Sequence, residues 1–232
     1  IGGIRVDFSP LYISLKTALL ATCLTFFAGL YAARLVLKLR HGQGIIDGLF
    51  TLPLVLTPTV VVFFLLLFFG RHSFVGQFLQ EFNVNVIFSW TATVIAATVV
   101  AFPLMYRTAR GAFEQVDADY IQAARTLGMS ERRIFWRILL PLSWPGIAAG
   151  VILSFARALG EFGATIMLAG NIPGKTQTMS TAIYSAVQAN DQPTAFVWAA
   201  VIVALSLVIM VLMNHWSRRQ KTMSGGRDRC WK

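Results

Sequence analysis

Gln122-Ala123-Ala124-Arg125-Thr126-Leu127-Gly128, followed thirteen residues later by Pro141, forms a polar and basic insert between long apolar stretches. The chain has 232 residues, of which 56% are hydrophobic and only 13% are charged. A soluble domain of this length needs more charged residues for its surface. Two short helices between membrane spans would be exposed on one side of the bilayer. The sequence therefore predicts an all-α, polytopic membrane protein with a docking surface at this insert.

Five apolar stretches are long enough to cross a hydrocarbon core of about 30 Å, at about 1.5 Å per helical residue. Together they predict one membrane domain over residues 1–217, followed by a basic tail, 218–232, that we expect to be disordered. The stretches lie near residues 11–37, 45–69, 88–106, 145–169 and 196–216.

The second of these stretches contains two prolines, Pro53 and Pro58. Each removes a backbone donor, so the helix is expected to kink or break at both positions. Unwound backbone at membrane depth is tolerated where it is buried in protein or lines a wet cavity. The kink is therefore either a packing feature or part of a pathway.

The positive charges are distributed unevenly along the chain. Fifteen of the twenty Lys and Arg residues fall in three segments, Arg34 to Arg40, Arg107 to Arg137 and Arg218 to Lys232. The alternate connections carry few, which is the positive-inside pattern of a protein of the cytoplasmic membrane. We therefore place the C-terminus in the cytoplasm and the N-terminus of the chain outside. The same distribution explains the net charge of +10 without a nucleic-acid partner.

No arrangement of residues in the sequence points to catalysis or to a bound cofactor. The three histidines lie in different connections, so no metal site is predicted. Neither a nucleophile with its base nor a pair of carboxylates in a cleft is evident. The run Gly170 to Thr176 resembles a phosphate-binding loop, but it is one residue short and follows a span rather than a strand. We interpret it as a loop on the outer side of the membrane.

The basic insert has the signals of two short helices. Asp117 or Asp119 can cap the start of the first, and Gly128 suits a left-handed position at its end. Ser130 can cap the second, and Pro141 is expected to stop it.

The spacing Ala-Ala-x3-Gly-x9-Ile-x-Leu-Pro resembles the cytoplasmic signature loop of ATP-binding-cassette importer permeases, although Gln122 stands where that loop usually has Glu. The resemblance implies that residues 114–141 form a coupling helix and its surroundings, which sit in a groove of a separate ATPase subunit. The residues that would make this surface are Gln122, Ala123, Ala124, Leu127, Gly128, Ile138, Leu140 and Pro141.

The fourth span carries a row of small residues and a charged pair on one face. Gly146, Gly150 and Ser154 recur every four residues, which favours close packing of helices. Arg157 and Glu161 fall on the same face, at positions i and i+4, and can pair there. Both observations place this face in the protein interior.

Three roles for the pair remain open: a structural lock, part of a substrate path or gate, and a proton relay. Arg157 lies in the middle of the fourth predicted span, so an anion that crosses would meet it. Gly160 and Gly163 flank Glu161 and would permit a hinge.

The run 155–166 followed by 171–176 resembles the membrane subunit of molybdate importers, and residues 52–56, 102–105 and 121–128 fit the same subfamily. The resemblance implies a type I ABC importer transmembrane domain that works as a homodimer, with the path between the two copies. It also implies ATPase subunits that bind ATP and Mg, and an extracytoplasmic protein that delivers molybdate or tungstate. Three alternatives are a sulfate/thiosulfate permease, an oxyanion channel with Arg157 as its filter, and a membrane enzyme.

Overall fold

The helices and connections of the chain are seen in a computed structural model, which describes residues 7–39, 41–70, 73–81 and 86–224. Within these ranges the secondary structure is helical, without strands. A π-helical segment, Phe135–Leu139, directly precedes the helix that begins at Leu140. The helices are α1 (Ser9–Lys38), α2 (Gln43–Val55), α3 (Pro58–Phe69), α4 (Phe74–Glu81), α5 (Trp90–Glu114), α6 (Ala118–Thr126), α7 (Glu131–Ile134), α8 (Leu140–Leu159), α9 (Gly163–Leu168), α10 (Met179–Gln188) and α11 (Gln192–Ser224).

The described residues contain the five predicted spans, four of them as long continuous helices and one as a bent pair. The continuous helices are Ser9–Lys38, Trp90–Glu114, Glu131–Leu159 and Gln192–Leu212. The bent pair is α2 with α3, between which the helix direction bends by 111°. The prediction of an all-α membrane bundle is therefore confirmed.

Helix α5 is the centre of the bundle. Of the 18 most apolar consecutive residues of α5, 61% are buried inside the bundle. The corresponding share for α11 is 11%, so α11 packs loosely on the outside. Close packing around α5 depends on small residues in its neighbours. A Cβ atom on Gly29 of α1 would lie 2.8 Å from Met105 Cγ, and one on Gly146 of α8 would lie 2.6 Å from Ala112 Cβ. The row of small residues in the fourth span thus faces α5, as predicted.

The break in the second span occurs at Pro58 and not at Pro53. Leu56 and Thr57 both adopt extended backbone, and Pro58 is the first residue of α3. A residue before proline avoids the helical region, which explains the end of α2 at this point. Pro53 lies within α2 without ending it. Of the kink or break expected at each proline, a break is thus found at Pro58, whereas the helix is not broken at Pro53.

The fourth span begins earlier and ends earlier than the sequence predicted. Pro141 does not stop the second loop helix, because helix continues from Glu131 to Leu159. Pro141 has no N–H to bond the carbonyl of residue 137, and the π-helical segment directly before it accommodates this loss. In that segment the Leu140 N–H bonds the Phe135 carbonyl, five residues back. At the other end Leu159 closes α8, so residues 163–168 form the separate helix α9.

The last helix extends beyond the predicted edge of the membrane domain at residue 217. Helix α11 continues to Ser224, whereas a disordered tail was expected from residue 218. Residues 225–232 of that tail lie outside the described residues.

Candidate functional site

Helix α6 is closed at both ends by local hydrogen bonds. At its start Asp117 Oδ1 accepts the Asp119 N–H at 3.0 Å, so Asp117 is the cap. At its end Gly128 has φ of +74°, which L side chains adopt with strain. The Gly128 N–H bonds the Arg125 carbonyl at 2.9 Å, and the Met129 N–H bonds the Ala124 carbonyl at 3.1 Å. This pair of bonds is a Schellman motif, which the sequence predicted in outline through Gly128.

The outer face of α6 presents a small apolar surface. Gln122, Ala123 and Leu127 are exposed, with Leu127 at 81% of its full exposure. Ala124, in contrast, is 3% exposed and packs inward. The surface available to a partner therefore consists of Ala123 and Leu127 beside Gln122, and Ala124 supports it from below.

An ion pair joins the two helices of the insert. Arg125 Nε lies 2.7 Å from Glu131 Oε1, across the turn at Gly128. The hydrogen bond that Arg125 donates to the Glu131 carboxylate raises the pKa of the Arg125 guanidinium. Both side chains are more than half exposed, so the pair contributes little to stability and mainly orients the turn. Sequence reasoning missed this pair, since it considered only the replacement of Glu by Gln122.

The segment after the turn is anchored to the membrane bundle through Phe135. The Arg34 guanidinium stacks on the Phe135 ring at 4.0 Å, and Phe113 contacts that ring edge-on at 5.8 Å between centroids. Ile138 and Leu140 are half-buried on the same segment, while Pro141 is exposed. Hereafter we call residues 117–139, which the charge distribution predicts to be cytoplasmic, the cytoplasmic hairpin. The helix that begins at Glu131 in this hairpin continues to Leu159, so the hairpin is joined directly to α8.

Arg157 and Glu161 form the predicted pair, but they span the end of α8. Arg157 Nη1 lies 2.7 Å from Glu161 Oε2, and the side chains are 33% and 3% exposed. Glu161 Oε1 also accepts the Ala164 N–H at 2.9 Å, in the first turn of α9. Glu161 therefore bonds to residues on both sides of the helix break. Gly160 is the C-cap residue of α8.

The breaks of the second and fourth spans touch each other. A Cβ atom on Gly163 would lie 3.3 Å from Pro58 Cβ. Thr57 and Thr59 flank Pro58, are exposed, and have hydroxyl oxygens 2.9 Å apart. One part of the molecule thus contains the two helix breaks, the Arg157 guanidinium and the hydroxyl groups of Thr57 and Thr59.

A third polar group links α2 to α5 near the predicted cytoplasmic surface. Asp47 Oδ1 lies 2.6 Å from Arg110 Nη1, and the Tyr106 hydroxyl donates to it at 2.8 Å. Arg110 Nε also lies 2.7 Å from Glu114 Oε1. Arg110 therefore pairs with both carboxylates, Asp47 on α2 and Glu114 on α5. The sequence gives no local sign of a contact between residues 59 positions apart.

The loop that resembles a phosphate-binding motif uses its polar groups internally. Thr176 is fully buried, and its hydroxyl accepts the Ile172 N–H at 3.0 Å. The loop connects α9 to α10, with no strand before it.

These features describe a membrane bundle with a helical hairpin that leads into α8 and with breaks in its second and fourth spans. The model of the family described as binding-protein-dependent transport system inner membrane component matches residues 25–222. The chain belongs to this family, and is therefore a transport component of the inner membrane.

Among curated proteins the chain is 44% identical to the putative molybdenum transport system permease protein YvgM of Bacillus subtilis, over 90% of this chain and 92% of that protein. It is 40% identical to the molybdenum transport system permease protein ModB of Escherichia coli, over 95% and 97%. It is 36% identical to the sulfate transport system permease protein CysT of Salmonella typhimurium, over 89% and 75%.

Solved structures show the same fold at lower sequence identity. The methionine ABC transporter MetNI, in an inward-facing conformation, matches with a TM-score of 0.72 and 17% identity, over 90% of this chain and 94% of that chain. A bacterial ABC transporter that imports the acidic polysaccharide alginate matches with a TM-score of 0.72 and 17% identity, over 91% and 79%. The transmembrane fold of ABC importers is thus confirmed for this chain.

Proposed function

We propose that the chain is the permease subunit of an ATP-driven importer for a tetrahedral oxyanion, molybdate or tungstate. The observation that carries the proposal is the near full-length similarity to molybdenum permeases, at 40 to 44% identity. The sulfate permease is less similar, at 36% identity, and the chain covers 75% of it. A sulfate/thiosulfate permease with the same mechanism is the second candidate.

The cytoplasmic hairpin is proposed to bind a separate ATPase subunit. Support comes from its exposed apolar residues, Ala123 and Leu127, and from the continuous helix that leads into α8. The partner ATPase would bind ATP and Mg, and this chain would contribute no catalytic residue. When two ATPase subunits close on ATP, each hairpin would move with them and tilt α8. A ligand changes such an equilibrium only as far as it prefers one state.

The working unit is proposed to be a homodimer with the path between two copies. A single chain leaves many large apolar residues of α2 and α3 exposed, among them Leu49, Phe64 and Phe68. The touching breaks at Pro58 and Gly163 would border the path, because unwound backbone at membrane depth survives where it lines a cavity. Arg157 beside Gly160 would attract the oxyanion, while Glu161 keeps the guanidinium in place.

An extracytoplasmic oxyanion-binding protein is proposed to deliver the substrate to the outer side. The positive-inside distribution supports this orientation, with the hairpin and C-terminus in the cytoplasm.

Uptake by the reconstituted transporter tests the proposal. The permease, its ATPase and the binding protein are placed in vesicles, and uptake of molybdate, tungstate and sulfate is measured with and without ATP. We expect ATP-dependent uptake of molybdate and tungstate in excess of sulfate. A preference for sulfate would establish the second candidate, and uptake without ATP would indicate a channel.

A further inference from the structure

A cleft of about 260 Å³ separates the cytoplasmic end of α1 from the cytoplasmic hairpin. Its apolar wall includes Leu37, Phe113 and Phe135, and its polar wall includes Arg34, Lys38 and Arg125. Glu131 is the one carboxylate among the lining residues. Three cations against one carboxylate leave the cleft with an excess of positive charge.

Two of these cations have unused hydrogen-bonding capacity. Arg125 is paired with Glu131, as described above. Among the residues that the structure describes, Arg34 and Lys38 have neither a side-chain hydrogen bond nor an ion pair within 4 Å. The stack on Phe135 nevertheless holds the half-buried Arg34 guanidinium in one orientation. A guanidinium that is fixed in place with free N–H groups is suited to bind phosphate.

The cleft lies where α1 leaves the membrane. Arg34 and Lys38 belong to the last turns of α1, a helix apolar enough to span the bilayer. On the same helix Tyr31 and Leu35 are exposed, at 66% and 43%, within one turn of Arg34 and Lys38. A ligand in the cleft would thus meet cations at its head and apolar side chains along its length.

We propose that this cleft binds the phosphate headgroup of an anionic phospholipid, with an acyl chain along Tyr31 and Leu35. Basic pockets between spans on the cytoplasmic side are suited to such headgroups. Because the hairpin supplies Arg125, Glu131 and Phe135 to the cleft, the bound lipid stabilises the hairpin against α1. The composition of the membrane would then tune how firmly the docking surface is held.

Lipid retention by the purified chain tests this proposal independently of substrate and transport. The chain is reconstituted in nanodiscs of phosphatidylcholine mixed with phosphatidylglycerol, extracted, and examined by native mass spectrometry for retained phosphatidylglycerol. We expect retained phosphatidylglycerol in the wild type. Binding should be about fivefold weaker for Arg34→Gln and for Lys38→Gln, since one basic residue near an anionic surface contributes about 1 kcal/mol.

Arg132→Gln is the matched control, because Arg132 is exposed on α7 and does not line the cleft. It should retain the lipid as the wild type does. Arg34→Lys keeps the charge and should bind better than Arg34→Gln, and thermal unfolding of each variant verifies the fold. Equal retention in all variants, or equal loss in the control, would overturn the proposal.

Two further measurements distinguish other occupants of the cleft. Displacement of the lipid by glycerol phosphate would show a site for free phosphate esters instead. Displacement by the ATPase subunit would show that the cleft belongs to the protein interface. Failure of molybdate uptake would leave the retention result unaffected, so the two proposals fail separately.

Discussion

At the scale of single residues, Gly128 shows how backbone geometry shapes the proposed docking surface. Its φ of +74° ends α6 and lets Arg125 meet Glu131 across the turn. No heavy atom lies within 4 Å of a Cβ added there, so strain rather than collision limits substitution. The orientation of Ala123 and Leu127 toward a partner depends on this one turn.

We therefore predict that Gly128→Asp keeps the chain in the membrane but reduces binding of the ATPase. Strain of about 1–2 kcal/mol at the left-handed position would distort the turn, and the new charge would face the partner. Copurification of the ATPase and ATP-dependent uptake are the measurements. Gly174→Asp is the control for copurification, because Gly174 has φ of +72° and equally open surroundings but lies in the loop between α9 and α10. Normal copurification with Gly128→Asp would contradict the role of the hairpin.

At the scale of elements, the two proline-associated irregularities have different outcomes. At Pro58 the helix of the second span is interrupted, and Gly163 of α9 packs against the proline ring. At Pro141 the helix continues, because a π-helical segment accommodates the missing donor. The first irregularity leaves Leu56 and Thr57 in extended backbone, and the second lets the helix continue from Glu131 of the hairpin through α8.

The ion pair at the end of α8 is the element whose loss we expect to matter most. Arg157→Ala would leave the buried Glu161 carboxylate without its cation, at a cost of about 2–3 kcal/mol because Arg157 is partly exposed. Thermal unfolding should show lower stability than for Arg132→Ala, which removes an exposed cation.

The double variant Arg157→Met, Glu161→Leu separates structure from transport. Removing both charges should restore most of the stability, since apolar replacements of a buried pair are often neutral. If Arg157 also attracts the oxyanion, uptake by the double variant stays low even though its stability is restored. Full uptake by that variant would limit the pair to a structural role.

At the scale of the whole molecule, the broken span packs less deeply than the helices around α5. Helix α2 has no fully buried residue, although its half-buried Ile46 and Phe50 pack on the core, with the Phe50 ring against Tyr106. The hydrogen bonds that Asp47 accepts from Tyr106 and Arg110 add a polar link to α5. Helix α2 therefore depends more on this polar link than the core helices α1, α5 and α8 do.

We predict that Asp47→Ala loosens α2 without unfolding the bundle. The loss of hydrogen bonds to a charged group costs about 1–3 kcal/mol, here at the lower end because Asp47 is partly exposed. Amide hydrogen exchange should become about fivefold to tenfold faster in residues 43–55 and stay unchanged in α5. Glu114→Ala is the control, since Glu114 pairs with Arg110 on the same helix. Equal exchange in the two variants would show that Asp47 does not hold α2.

Much of this fold could be predicted from the sequence, because its determinants are local. Apolar length gives the five spans, and the end of α6 depends on Gly128 and its neighbours. The pair of Arg157 and Glu161 depends on their i, i+4 spacing. In each case the interacting groups lie within a few residues of one another, so hydropathy and turn chemistry suffice.

The tertiary structure alone decided what depends on distant neighbours. Pro53 and Pro58 look equivalent in the sequence, but only Pro58 packs against Gly163 and ends a helix. Ala124 was expected on the docking face and is turned inward. The link between Asp47 and Arg110, and the stack of Arg34 on Phe135, join residues far apart in the chain. Whether such groups meet depends on how helices pack, and the packing is settled by the whole bundle rather than by any one segment.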